Sequence, residues 1–174
     1  MNRLSSLARL APPQGARLAA RVLRRAGDDG QDGRRDQRPR PRRYPGDFTG
    51  TVRPVYAPDL DGDPDPGEIV WAWVPFEEDH SRGKDRPVLV VGHDGPWLLA
   101  LMLTTRDHDT RPGRPDEHWL DLGTGEWDAQ RRMSEVRLDR VIRLDPDAVR
   151  REGAILDRTR FDMVVGSLRK RDDW

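Results

Sequence analysis

The apolar residues of this chain come in short, β-branched runs that begin in earnest only at Ile69. The longest, Trp97-Leu98-Leu99-Ala100-Leu101-Met102-Leu103, is far shorter than the roughly 20 residues a membrane-spanning helix needs. Runs of this length, rich in Val, Ile and aromatics, are strand material. Glu68-Ile69-Val70-Trp71-Ala72-Trp73-Val74-Pro75-Phe76 is apolar at successive rather than alternate positions. A strand of that kind is buried on both faces, so it belongs in the middle of a sheet.

The rest of the pattern follows the same reading. Residues 88–93 and 97–104 are two further strands, and His93-Asp94-Gly95-Pro96 between them predicts a hairpin turn. Residues 106–116 are polar with Pro112, Gly113 and Pro115, and predict a loop. His118-Trp119-Leu120-Asp121-Leu122 is a fourth strand, and Val136, Leu138, Val141 and Ile142 mark a fifth with a bulge near Arg140. Asp145-Pro146 has the form of a helix start, predicting a helix that ends near Gly153. A last helix, capped by Asp157, carries Phe161, Val164, Val165 and Leu168 at i, i+3, i+4 and i+7. The expected fold is mainly β with a C-terminal helix, a small curved sheet or barrel.

Composition places that domain in the second part of the chain. Of 174 residues, 34% are hydrophobic and 36% charged, with a mean hydropathy of −0.89, too polar for a core over the whole length. Net charge is zero, but residues 1–50 hold 12 Arg and 5 Asp, a net of +7, and the remainder is −7. Residues 1–45 read as a basic, arginine-rich tail and linker, disordered or partly helical, with an amphipathic helix over 14–25. Residues 46–66 read as an acidic, turn-rich lead-in, and 67–170 as the domain. Asp59-Leu60-Asp61-Gly62-Asp63-Pro64 resembles a calcium loop only superficially, since Pro64 stands where glycine is required and Val70 where glutamate is. There is no cysteine, which excludes disulfides and thiolate chemistry, and the four histidines have no metal-ligand spacing. No metal or cofactor is expected, and a cytoplasmic location is the default.

Arg86-Pro87 carries the chemistry. It follows an entirely polar loop, Glu77 to Asp85, and opens the strand Val88-Leu89-Val90-Val91. Proline biases the residue before it toward an extended conformation, so the direction of Arg86 is set by the backbone. A guanidinium held this way suits phosphate or carboxylate. The plainer reading pairs it with Asp79 or Asp85. In an antiparallel hairpin Arg86 and Thr104 reach the same end of the sheet, where Thr105 adds a second hydroxyl. For these threonines the plainer reading is capping of loose backbone groups at a strand end.

Several segments occur in an order that resembles the MazF/PemK toxins. They are Gly67-Glu68-Ile69-Val70-Trp71, then Arg86-Pro87-Val88-Leu89-Val90-Val91, then Leu103-Thr104-Thr105, and later Ser134-Glu135-Val136-Arg137-Leu138-Asp139-Arg140-Val141. The resemblance covers about 67 to 170. Asp79-His80-Ser81-Arg82-Gly83 stands where that family's first loop usually opens with glycine, serine and glutamate. The resemblance implies an SH3-like barrel, a homodimer, and a sequence-selective endoribonuclease neutralised by an antitoxin protein. It places the catalytic arginine on Arg86 and the catalytic threonine on Thr104. Thr105, His80, Ser81, Arg82 and Arg106 are then candidates for binding single-stranded RNA.

The implied reaction is attack of an RNA 2′-hydroxyl on the neighbouring phosphorus, which requires neither metal nor protein nucleophile. Arg86 would stabilise the phosphorane charge, and Thr104 would position a phosphate oxygen. For the general base, His80, Glu78 and His108 are open candidates. Two other readings compete. One is a non-catalytic barrel that binds RNA or a protein; the other is a membrane-surface protein tethered by the 14–25 helix.

Overall fold

The computed structural model describes residues 42–106 and 117–170, all within one unit running from Arg38 to Trp174. The 14–25 helix, the linker up to residue 41, residues 107–116 of the polar loop and His108 lie outside the described residues. Among the described residues no helix is long and apolar enough to cross a membrane.

Among the described residues six strands and one α-helix form the domain: β1 (Glu68–Pro75), β2 (Gly83–Asp94), β3 (Trp97–Thr104), β4 (Trp119–Gly123), β5 (Ser134–Leu144), β6 (Val149–Ile155) and α1 (Arg158–Arg169). All pairings are antiparallel, in the order β4-β5-β3-β2-β1-β6. The mainly β expectation with a C-terminal helix therefore holds, and β1 lies inside the sheet as its two-faced apolar pattern required. The predicted hairpin is present, with Asp94 opposite Trp97 across a Gly95-Pro96 turn and Gly95 at φ +58.

One predicted element is wrong. The segment after Asp145 is not a helix to Gly153 but a single 3-10 turn, Pro146–Ala148, followed by β6. The local signals were read correctly, since the Asp145 side chain accepts from the Asp147 N–H and proline sits at the first position. Val149 then turns extended (φ −64, ψ 125) and the chain pairs along the free edge of β1, with Ala72 opposite Val149 and Glu68 opposite Ile155. Pairing an open strand edge outweighs a helix start.

The core occupies both faces of the sheet. On one face, Ile69, Leu89, Leu101 and Val141 pack under α1, whose Phe161, Val164, Val165 and Leu168 are all buried. Each such side chain contributes about 1.5–3 kcal/mol, so this stripe outweighs the Asp157 cap, worth about 1 kcal/mol. On the other face Val70, Val88, Val90, Ala100, Ile142 and Leu144 form a second cluster. Among the described residues no helix covers them, and the sheet curls to cover its own face. Its connections require the same. Four strand spacings separate β5 from β6, roughly 19 Å in a flat sheet. The link between them is a three-residue 3-10 turn rising only about 2 Å per residue.

A buried arginine fastens the curl. Opposite Leu101 and Leu103 stand Val141 and Val136, so β5 carries extra residues at the predicted bulge. From this bulge Arg140, 6% exposed, donates to the Pro75 carbonyl at the end of β1 (2.9 Å) and forms a two-pronged pair with Asp47 (2.8 and 3.1 Å). The lead-in is thereby held against the sheet. Phe48 bridges Val141, Val52 is buried, and the Tyr56 hydroxyl donates to the Leu156 carbonyl. Gly67, at φ +104, is required here, because a Cβ would lie 2.9 Å from the Tyr56 ring.

Asp47→Ala is expected to cost on the order of 3 kcal/mol in urea unfolding, because it leaves the Arg140 guanidinium buried and unpaired. Adding Arg140→Leu should recover part of that loss, since the orphaned charge leaves with it. Simple addition of the two single losses would contradict this account.

Candidate active site

Arg86 is not at the mouth of a loop, as the apolar pattern implied. β2 begins at Gly83, and Arg86 is paired opposite Ala72 of β1. The strand extends upstream of its apolar part because ladder hydrogen bonds do not depend on the side chains. Gly83 permits the close start, since a Cβ there would stand 2.3 Å from the Val74 carbonyl oxygen. Pro87 is tolerated because pairing with β3 starts only at Val88, opposite Met102. Continuing that register sets Arg86 opposite Thr104, on the same face.

These residues meet in a pocket of about 160 Å³, lined by Arg86, Thr104, Thr105, Asp128, Arg132 and Ser134, with Trp71 and Asp85 at its wall. Arg86 is half-buried. Both carboxylates expected to neutralise it are engaged elsewhere: Asp85 pairs with Arg150 (3.0 Å), and Asp79 accepts from the Ser81 N–H and hydroxyl. Among the described residues no hydrogen bond or ion pair engages the Arg86 guanidinium. Burial and the nearby charge of Arg106 both push its pKa below the ordinary arginine value. A half-buried cation that is unpaired among the described residues and faces a like charge favours a negative charge beside it.

Thr104 does what the plainer reading assigned it, accepting from the Arg106 N–H at 3.2 Å. Its hydroxyl proton is still available to donate into the pocket. That contact also fixes the backbone of Arg106, a predicted binding residue, beside Arg86. Thr105 is exposed at the rim.

The floor is formed by the β4–β5 connection, which sequence reading did not assign to the site. The Trp71 Nε1–H donates to the Trp127 carbonyl (3.0 Å), and the Trp127 Nε1–H to the Ser134 hydroxyl (3.1 Å). Gly125 admits the Trp127 indole, which a Cβ would strike. Asp128, 6% exposed, accepts from Arg132 Nε (2.9 Å), Nη2 (3.1 Å) and backbone N–H (2.9 Å). These bonds hold its carboxyl at about 2, too acidic for a general base near neutral pH. Trp71 and Ser134 stand inside the segments that carry the resemblance, and Asp128 and Arg132 have i, i+4 spacing. No pattern links Trp127 to Ser134.

His80, Ser81 and Arg82 are not in this pocket. His80 packs edge-on against Tyr44 (4.9 Å between centroids) and lines a different cavity. Ser81 bonds Asp79, and Arg82 lies over the Phe76 ring at 5.9 Å. Glu78 is exposed in the loop. Among the described residues no group of three His, Asp or Glu side chains is disposed to hold a metal ion.

The family comparison agrees with the sequence resemblance. The profile of the PemK-like, MazF-like toxins of type II toxin–antitoxin systems matches residues 65–170, and the chain belongs to that family. No curated protein matches the chain. A solved structure described as an endoribonuclease in complex with its cognate antitoxin from Mycobacterial species is 15% identical, with a TM-score of 0.46. The match spans 62% of this chain and 92% of that one.

The Asp128–Arg132 pair makes the pocket acid-sensitive. Because the Asp128 pKa is depressed on folding, its stabilising contribution is present above the ordinary aspartate value of 3.8 and is lost as pH falls through about 2. Thermal melts between pH 5 and 2 should therefore fall less steeply for Asp128→Asn than for the parent. Parallel curves would remove the pair from the acid response.

Proposed function

We propose that this toxin-family chain is an endoribonuclease that cuts single-stranded RNA through attack of the 2′-hydroxyl on the adjacent phosphorus, independently of metal. The observation that carries this reading is Arg86, half-buried and without a carboxylate partner among the described residues, beside the Thr104 hydroxyl in a pocket of about 160 Å³. The guanidinium pairs with the non-bridging oxygens as charge grows on them in the phosphorane. Thr104 donates to one of those oxygens and fixes its orientation. Arg106 adds positive charge at the rim, and Thr105 a further donor. Asp128 orients Arg132 along the floor and takes no proton. The reading carries with it an antitoxin protein as partner, a homodimer, and action in the cytoplasm.

The non-catalytic alternative has one observation in its favour: His80, Ser81 and Arg82 are turned away from the Arg86 pocket. A binding module would retain RNA and leave it intact.

Purified protein is expected to cleave single-stranded RNA in EDTA, and its induced expression to arrest growth. Arg86→Ala should reduce cleavage by roughly a hundred- to a thousandfold while the protein stays folded. Arg86→Lys should restore only part of the rate, since an ammonium cannot reproduce the two-pronged fork. Thr104→Val should slow cleavage with little change in melting temperature. An Arg86→Ala protein as fast as the parent, or a folded parent that binds RNA without cutting it, would reject the enzyme.

A further inference from the structure

A second and larger concavity, of about 660 Å³, opens next to the Arg86 pocket. Trp73 and Trp97 contribute indoles to it, Tyr44 and His80 two more rings, and Arg42, Arg143 and Arg150 line it as cations. The two cavities share a wall. Asp85 lines the smaller one and pairs at 3.0 Å with Arg150 of the larger. Trp71 and Trp73, one in each, are two residues apart on β1, about 7 Å along the strand.

We infer that this cavity receives a base of the RNA strand whose phosphate lies at Arg86, stacking it against Trp73 and Trp97. The inference rests on the RNA-cleaving reading of Arg86 and extends it to the substrate's flanking nucleotide. The volume falls in the range of small-molecule sites and exceeds what one base needs. Both indoles are only partly buried, so ring surface remains for stacking. Gly83 lets the Trp73 ring lie close over the start of β2, where a Cβ would come within 2.7 Å of it. The Arg42 guanidinium stands 5.9 Å from the Trp97 ring centroid, and its backbone N–H and guanidinium are anchored on the Asp145 carboxylate (2.6 and 3.3 Å). Aromatic faces interleaved with guanidiniums are how single strands are held.

Arg42, Arg143 and Arg150 are each paired, with Asp145, Asp94 and Asp85, so the cavity suits the uncharged ring of a base better than a phosphate. Asp147, exposed at the rim, disfavours a phosphate at that point but accepts an N–H from a base edge. The base is therefore what enters, with the backbone left toward Arg86.

The test measures binding in an Arg86→Ala parent, which leaves the probe intact, using a fluorescein-labelled, random-sequence single-stranded RNA of twelve nucleotides in anisotropy titrations. Trp97→Ala should weaken binding about tenfold, the loss of one base–aromatic stack. It should leave the salt slope unchanged, whereas Arg42→Ala should flatten it. Trp97→Phe should recover most of the affinity. Ala148→Phe, which fills the cavity and removes no core side chain, should weaken binding as Trp97→Ala does, and it carries the test if Trp97→Ala does not fold. If the unmutated protein cuts RNA but both cavity variants bind the probe as tightly as their parent, the base site is overturned and cleavage stands. If it cuts nothing while the cavity variants still lose affinity, the cleavage reading falls and the base site stands. Cavity variants that lose only the antitoxin protein, with RNA binding unchanged, would also overturn the base site.

Discussion

A single buried guanidinium holds the domain in its curled form. Arg140 leaves β5 at a bulge and reaches the last carbonyl of β1, although β3 and β2 separate those strands in the hydrogen-bonded order. The same side chain pairs with Asp47, and Arg143 donates to the carbonyls of Gly46 and Asp47. Removing water from such a charge is expensive, and each of the three guanidinium nitrogens donates a hydrogen bond in return. With β1 and β5 fixed in this way, the apolar face made by Val70, Val88, Val90 and Ile142 is closed without a covering helix among the described residues.

The site inherits its rigidity from that frame. Its cation is on β2, its hydroxyl at the end of β3, and its floor is pinned to β1 and β5 by two indole hydrogen bonds. The electrostatic arrangement is selective. Among the described residues the acidic groups lining the pocket are assigned to other arginines, Asp85 to Arg150 and Asp128 to Arg132, and none is paired with Arg86. A domain that is net negative can therefore present a locally positive point, because ion pairs cancel in place and field strength near a phosphate depends on the nearest unpaired charge.

What could be read from the sequence followed from local rules. The two-faced apolar run of β1, the hairpin through Gly95-Pro96, the bulge at Arg140 and the capped stripe of α1 each rest on side-chain period or turn chemistry within a few residues. β6 was missed because its formation depends on the vacant edge of β1, about eighty residues away in the chain, while Asp145-Pro146 locally signals a helix. The upstream part of β2 was missed because Gly83 to Arg86 have no apolar pattern and are strand only by pairing. Arg86 and Thr104 were legible from hairpin register. Asp128 and Arg132 were not, because their approach depends on how the β4–β5 connection folds back under Trp71. Nor does the loop sequence show that His80 lines the neighbouring cavity beside Tyr44, while Ser81 and Arg82 bond within the loop or lie over Phe76.

That Arg86 is set in the β1–β2 ladder, and not in the loop before it, separates two properties that such a protein must vary independently. The residues between Phe76 and Arg82 join the strands beyond Gly83, and lengthening or rewriting them leaves the Ala72–Arg86 register untouched. The guanidinium keeps its position while the loop before it changes in length or sequence. Lineages built on this frame can vary that loop without moving the charge.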